Sequence, residues 1–176
     1  MEPDVRATIL IALTLLQLGC VGPPIRVPQP QDAVPPAQAA GDPLRVLTRK
    51  VFDKVNCQRR LHGLRELVWN DVVAEQARRH SSNMIERGFF GHADPLRGSL
   101  ATRLSRAGIR WNRCGENIYR ESGMEEPADD AVEGWMRSPA HRASILDPVF
   151  TQSGVGIVIN ADTEYFITQI FVRPLK

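Results

Sequence analysis

Leu44, Leu47, Val51 and Val55 recur at spacings of three, four and four. Such spacing puts them on one face of a helix. Asp42 stands at the N-cap position with Pro43 in the first turn, and the helix is expected to end near His62-Gly63. A second stripe, Val73, Ala77, His80 and Met84, follows Asn70-Asp71 and stops at Gly88. After the loop FFGHADPLRG, Ser99 can cap a short helix that carries Leu100 and Leu104 and closes at Gly108. Pro127 opens a helix with Ala131, Val132 and Trp135 inward, and Ser138-Pro139 starts another through AHRASIL. The tail changes period. Val155 to Ile159 and Tyr165 to Val172 are β-branched and aromatic runs around a polar turn, which reads as a hairpin of buried strands. Helices first and strands last predict an α+β fold, with helices packed around a small antiparallel sheet.

The first 42 residues read differently. Ile9 to Leu18 is an apolar run too short to span a bilayer with ease, followed at once by Gly19-Cys20. That is the pattern of a lipoprotein signal, with Cys20 lipidated as the mature first residue. Gln17 stands where an apolar residue is usual, and Glu2 and Asp4 offset Arg6, so an ordinary cleaved signal, an uncleaved anchor and a cytosolic chain remain alternatives. Val21 to Asp42 is rich in Pro, Gln and Ala without apolar periodicity, the composition of a disordered tether. The expected organisation is a signal over 1–20, a linker over 21–42 and one domain over 43–176, exported and either membrane-anchored or secreted.

Charge and cysteines narrow the partners. With 22 basic and 20 acidic side chains the net charge is +2, too little for the basic footprint that nucleic acid requires. A near-neutral single domain is expected to be a monomer. Cys57 and Cys114 remain after Cys20, and in an oxidising compartment an even pair predicts a disulfide. Closing so long a loop would stabilise the fold by roughly 4 kcal/mol. Two buried free thiols are the alternative.

Four segments in order carry a resemblance: VWNDVVAEQARRHSSNM (Val68 to Met84), FFGHADP (Phe89 to Pro95), CGENIY (Cys114 to Tyr119) and EGWMRSPAHRASILDPVFTQSGVGI (Glu133 to Ile157). Together they are similar to the CAP (SCP-like) superfamily of cysteine-rich secretory proteins, venom antigens and plant pathogenesis-related proteins, and above all to its short bacterial branch. The resemblance implies a three-layer α-β-α sandwich and a cavity of two His and two Glu that can hold a divalent metal such as zinc. It also implies possible lipid ligands. On this sequence His92, Glu116 and His141 match three cavity positions. The second Glu has no match, because Met136-Arg137-Ser138 occupies its place, and Glu133 falls on a different helical face.

Two imidazoles and a carboxylate with an open fourth position form a known zinc arrangement that can activate water. The plainer reading makes His92 and His141 loop residues bonded to backbone and Glu116 a helix cap. His80, on an apolar stripe, reads as a core histidine, Asn117 as a loop anchor, and Ser138 as an N-cap rather than a nucleophile. Trp69, Trp111 and Trp135 read as core or cavity walls. Three functions follow. One is a non-enzymatic binding domain for a lipid or envelope ligand, with or without a metal at His92, Glu116 and His141. The others are a metal-dependent hydrolase of envelope or extracellular substrates and a purely structural domain. The missing Glu removes a general base and favours binding over catalysis.

Overall fold

The computed structural model describes residues 42–123 and 125–175. Cys20, the apolar run and most of the Pro-rich stretch lie outside the described residues. The helices start where short polar side chains satisfy their first amides. Asp42 Oδ1 accepts from the Leu44 amide at 3.0 Å ahead of α1 (Pro43–Leu61). Asn70 does the same for the Val73 amide, also at 3.0 Å, ahead of α2 (Asp71–Glu86). Ser99 accepts from the Thr102 amide at the start of α3 (Leu100–Arg106). Then come α4 (Pro127–Arg137) and α5 (Pro139–Ile145), joined through Ser138. Ser138 holds the cap position in extended backbone, but its side chain makes no capping bond. The turn there rests on Pro139 and on backbone bonds, the Ser138 amide donating to the Gly134 carbonyl at 3.2 Å and the Ser138 carbonyl accepting from the Arg142 amide at 2.8 Å.

Four strands form one sheet in the order β1-β3-β4-β2, from β1 (Val68–Trp69), β2 (Trp111–Glu121), β3 (Gln152–Ile159) and β4 (Tyr165–Pro174). The β3–β4 hairpin is the expected one, with Ile157 opposite Ile167. Two strands escape the pattern of the sequence. β1 is only two residues long and runs parallel to β3, so the sheet is mixed rather than purely antiparallel. β2 pairs antiparallel with β4 along WNRCGENIYRE, where polar residues mask the period of two.

Side chains of β4 alternate between two cores, as a strand requires. Ile167 and Phe171 join Val51, Val55, Ala131 and Trp135, the layer of α1, α4 and α5. Ile170 and Val172 join Val73, Ala77 and Leu104, the layer of α2 and α3. Helices on both sheet faces make the three-layer α-β-α sandwich. α2 lies unusually close to β3. A Cβ on Gly154 would stand 2.1 Å from the Ala74 nitrogen, and one on Gly156 2.0 Å from the Arg78 nitrogen. Only glycine permits that approach.

The expected disulfide is not formed. Cys57 and Cys114 are both free. Cys57 is exposed on α1, while Cys114 on β2 packs against the Val73 and Leu104 core of the opposite layer. The sheet stands between the two thiols, so no ordinary bridge can join them.

Candidate functional site

β2 is an edge strand, and its neighbours Glu116 and Asn117 point to opposite faces. Glu116 enters the α2/α3 layer. Its side chain is 3 % exposed, and Oε2 accepts from Arg103 Nη2 of α3 at 2.7 Å. Oε1 lies 3.0 Å from Nδ1 of His92, in the loop after α2. A carboxylate only accepts, so His92 Nδ1 donates and the imidazole is oriented by Glu116. Arg103 Nη2 also donates to the His92 carbonyl at 3.2 Å. One guanidinium thereby fixes both the carboxylate and the loop.

His141 arrives from the other layer. It lies on α5, where the Asn117 amide donates to its carbonyl at 3.1 Å. The α5 end is held in turn by Arg59 of α1, 1 % exposed, which donates to the carbonyls of Ile145 at 2.7 Å and Asp147 at 3.0 Å. The His92 and His141 rings meet around the strand edge with centroids 6.3 Å apart, tilted by 53°. His92 is about half exposed at 54 %, which opens the pair to solvent. Burial holds the His141 imidazole below its ordinary range, and His92 adds to the effect.

His92, Glu116 and His141 therefore do come together, but not as three equivalent donors. Glu116 is engaged by Arg103 and His92, which leaves two imidazoles facing outward. Catalytic zinc sites use three protein ligands. Among the described residues no group of three or more His, Cys, Asp or Glu is arranged to hold a metal ion. The donor set as it stands does not fit a resident divalent metal. Glu133 adds nothing, being exposed and paired with Arg137 at 3.3 Å.

Two residues complete the cluster. His80 is fully buried, as its place on the α2 stripe implies, and its Nε2 donates to the Gly91 carbonyl at 3.0 Å. That bond ties α2 to the His92 loop, and Nε2 lies 3.7 Å from Glu116 Oε1. Arg103 is the residue that motif reading missed. Leu100, Arg103, Leu104 and Ala107 recur at three, one and three, so a charged residue stood on the apolar face of a predicted helix. Asn117 anchors His141 as expected of it, though from a strand. Trp135 is core, its indole N–H donating to the Ile118 carbonyl at 2.9 Å.

With fold and site together, the chain can be placed among known proteins. The model of the CAP family, described as the cysteine-rich secretory protein family, matches residues 52–171. The chain belongs to the CAP family. It is 37% identical over 125 residues to the uncharacterized membrane protein YlbC of Bacillus subtilis, covering 71% of this chain and 34% of that one. It is 35% identical over 121 residues to the uncharacterized protein YkwD of the same organism, covering 68% of this chain and 46% of the relative. The chain thus spans less than half the length of these curated relatives. Among solved structures, an extracellular protein containing an SCP domain from Bacillus anthracis shares 32% identity at a TM-score of 0.63, covering 73% of this CAP chain and 40% of that one. Among the described residues, no helix is long and apolar enough to cross a membrane.

Proposed function

We propose that this CAP domain is a non-enzymatic, extracytoplasmic ligand-binding module, tethered to a membrane through the segment before residue 43, with His92, Glu116 and His141 forming the cleft. The extracellular and membrane descriptions of its relatives support the address. The cleft reading is carried by one observation, the Glu116–His92 bond of 3.0 Å beside the His141 ring. With Nδ1 donating to Glu116, Nε2 is the nitrogen of the half-exposed His92 ring left to meet a ligand. Two such imidazoles beside a half-open edge suit an uncharged or weakly acidic ligand that offers hydroxyl donors, as envelope lipids and sugars do.

Catalysis fits less well. Among the described residues no hydroxyl or thiol is hydrogen-bonded to either imidazole, and the one buried carboxylate in the cluster is held by Arg103. A hydrolase would need a positioned nucleophile or a general base beside an activated water. The test is native mass spectrometry of the protein purified from membranes. A retained organic ligand in the wild type, lost in both His92→Ala and His141→Ala, is the expected result. A ligand retained equally by both variants sinks the cleft assignment. For the tether, a mature N-terminus other than lipidated Cys20 sinks the lipoprotein reading.

A further inference from the structure

Arg103 has a second side. Its Nη2 serves the cleft, but Nε and Nη1 are buried without any hydrogen-bond acceptor. Buried guanidinium donors call for an acceptor, since a buried donor left without one is costly. His80 shows the same pattern, with Nε2 bonded to Gly91 and a buried, unpartnered Nδ1. Both side chains line one cavity of about 250 Å³ between α2 and α3. The other walls are Gln76, Arg79, Asn83, Arg97, Arg106 and Ala107, and no carboxylate lines the space. Four arginines thus converge, one of them only 5 % exposed at the inner wall and three exposed toward the mouth.

Among the described residues, two of the four have carboxylate partners and two do not. Arg103 is paired with Glu116 at 2.7 Å through Nη2 alone. Arg79 is paired with Glu75 at 2.7 Å. Arg106 donates to the Arg97 carbonyl at 3.2 Å, which brings the two guanidinium-bearing residues together rather than neutralising them. Among the described residues no carboxylate pairs with Arg97 or Arg106. Two like charges held this close, beside the free donors of Arg103, favour an anion between them.

We propose that this cavity is a binding site for a phosphoryl group, distinct from the His92 cleft and independent of the function proposed for it. Arginine forks match phosphate oxygens in bidentate geometry. A protonated phosphoryl oxygen or an adjacent hydroxyl supplies the donor that His80 Nδ1 lacks, while the remaining oxygens accept from Arg103. The group is carried either by a free phosphate compound or by a phospholipid headgroup, and a domain tethered at a membrane meets both.

The test uses the full chain and the variant Arg97→Ala/Arg106→Ala, which leaves Arg103, Glu116 and the cleft untouched. One arm titrates inorganic phosphate at constant ionic strength and follows the Arg103 Nε–H and Ala107 amide signals by NMR. The other measures binding to phosphatidylglycerol vesicles against phosphatidylcholine vesicles. Saturable phosphate shifts absent with chloride, weakened about ten-fold or more in the variant, support the site and its free ligand. Vesicle binding that is specific for phosphatidylglycerol and weakened to a similar degree in the variant supports the site and assigns the group to lipid. If neither probe binds, or if the variant binds both as well as the wild type, the proposal is overturned.

Discussion

Glu116 is a buried carboxylate whose charge is met by one guanidinium, and that arrangement has a measurable cost when broken. Removing Arg103 leaves an uncompensated charge beside His80 and His92. Arg103→Ala is expected to lower stability by about 3–5 kcal/mol, read as a shift in the urea midpoint. Glu116→Gln added to it should restore a large part, because the charge is then gone from both sides. A double variant no more stable than Arg103→Ala would deny that the pair is electrostatically coupled. Two imidazoles give the domain a pH dependence of fixed sign. Burial holds both His80 and His141 below the ordinary imidazole range. At His80, Arg103 adds to burial, while Glu116, the Gly91 carbonyl and Asp94 oppose it; at His141, His92 adds. The unfolded chain therefore binds protons that the folded domain refuses. Stability is full above the unfolded value of about 6.5 and falls as pH drops below it toward the folded values. Urea midpoints at about pH 7.5 and 5.5 should differ in that direction, and His80→Gln should shrink the difference. Equal midpoints in the wild type would contradict the burial of these rings as neutral species.

At the scale of elements, the contact between α2 and β3 is the tightest feature of the fold. Cβ atoms at Gly154 or Gly156 would meet helix backbone at 2.1 and 2.0 Å, and backbone cannot rotate aside as a side chain can. Gly154→Ala and Gly156→Ala are each expected to cost about 3 kcal/mol or more through forced separation of helix and sheet. Gly91→Ala, where no atom lies within 4 Å, should leave stability unchanged or raise it by up to about 1 kcal/mol. Similar thermal unfolding for Gly91→Ala and Gly154→Ala would rule out the close approach. The helices were legible in the sequence because their stripes and caps are local: Asp42, Asn70 and Ser99 announce their helices and bond as their positions imply. β2 was not, because its pattern is interrupted by Glu116 and Asn117, two polar residues that serve the cluster and α5 instead of a core. β1 was not, because two residues carry no period at all.

Across the whole molecule, the sheet decides which distant residues can meet. It keeps Cys57 and Cys114 in different layers, a separation that no count or spacing of cysteines conveys. The unfolding temperature should therefore be the same with and without reductant. A thiol reagent should label exposed Cys57 quickly and Cys114 slowly, since burial both covers the latter and raises its thiol pKa. Loss of stability on reduction would contradict the free thiols. The same sheet brings His92 and His141 together around its open edge from opposite layers. Motif matching named these residues with Glu116, but as equal members of one set. The asymmetry comes from Arg103, whose role depends on α3 lying over β2. That packing turns an expected three-donor metal site into a two-imidazole cleft with an orienting carboxylate.

Zinc calorimetry on the purified protein tests that distinction most directly, with His92→Ala and His141→Ala alongside the wild type. With Glu116 held by Arg103, titration should show no stoichiometric high-affinity uptake and no difference among the three proteins. One zinc bound per chain in the wild type and lost in both variants would mean that Glu116 leaves Arg103 to ligate, and would contradict the account.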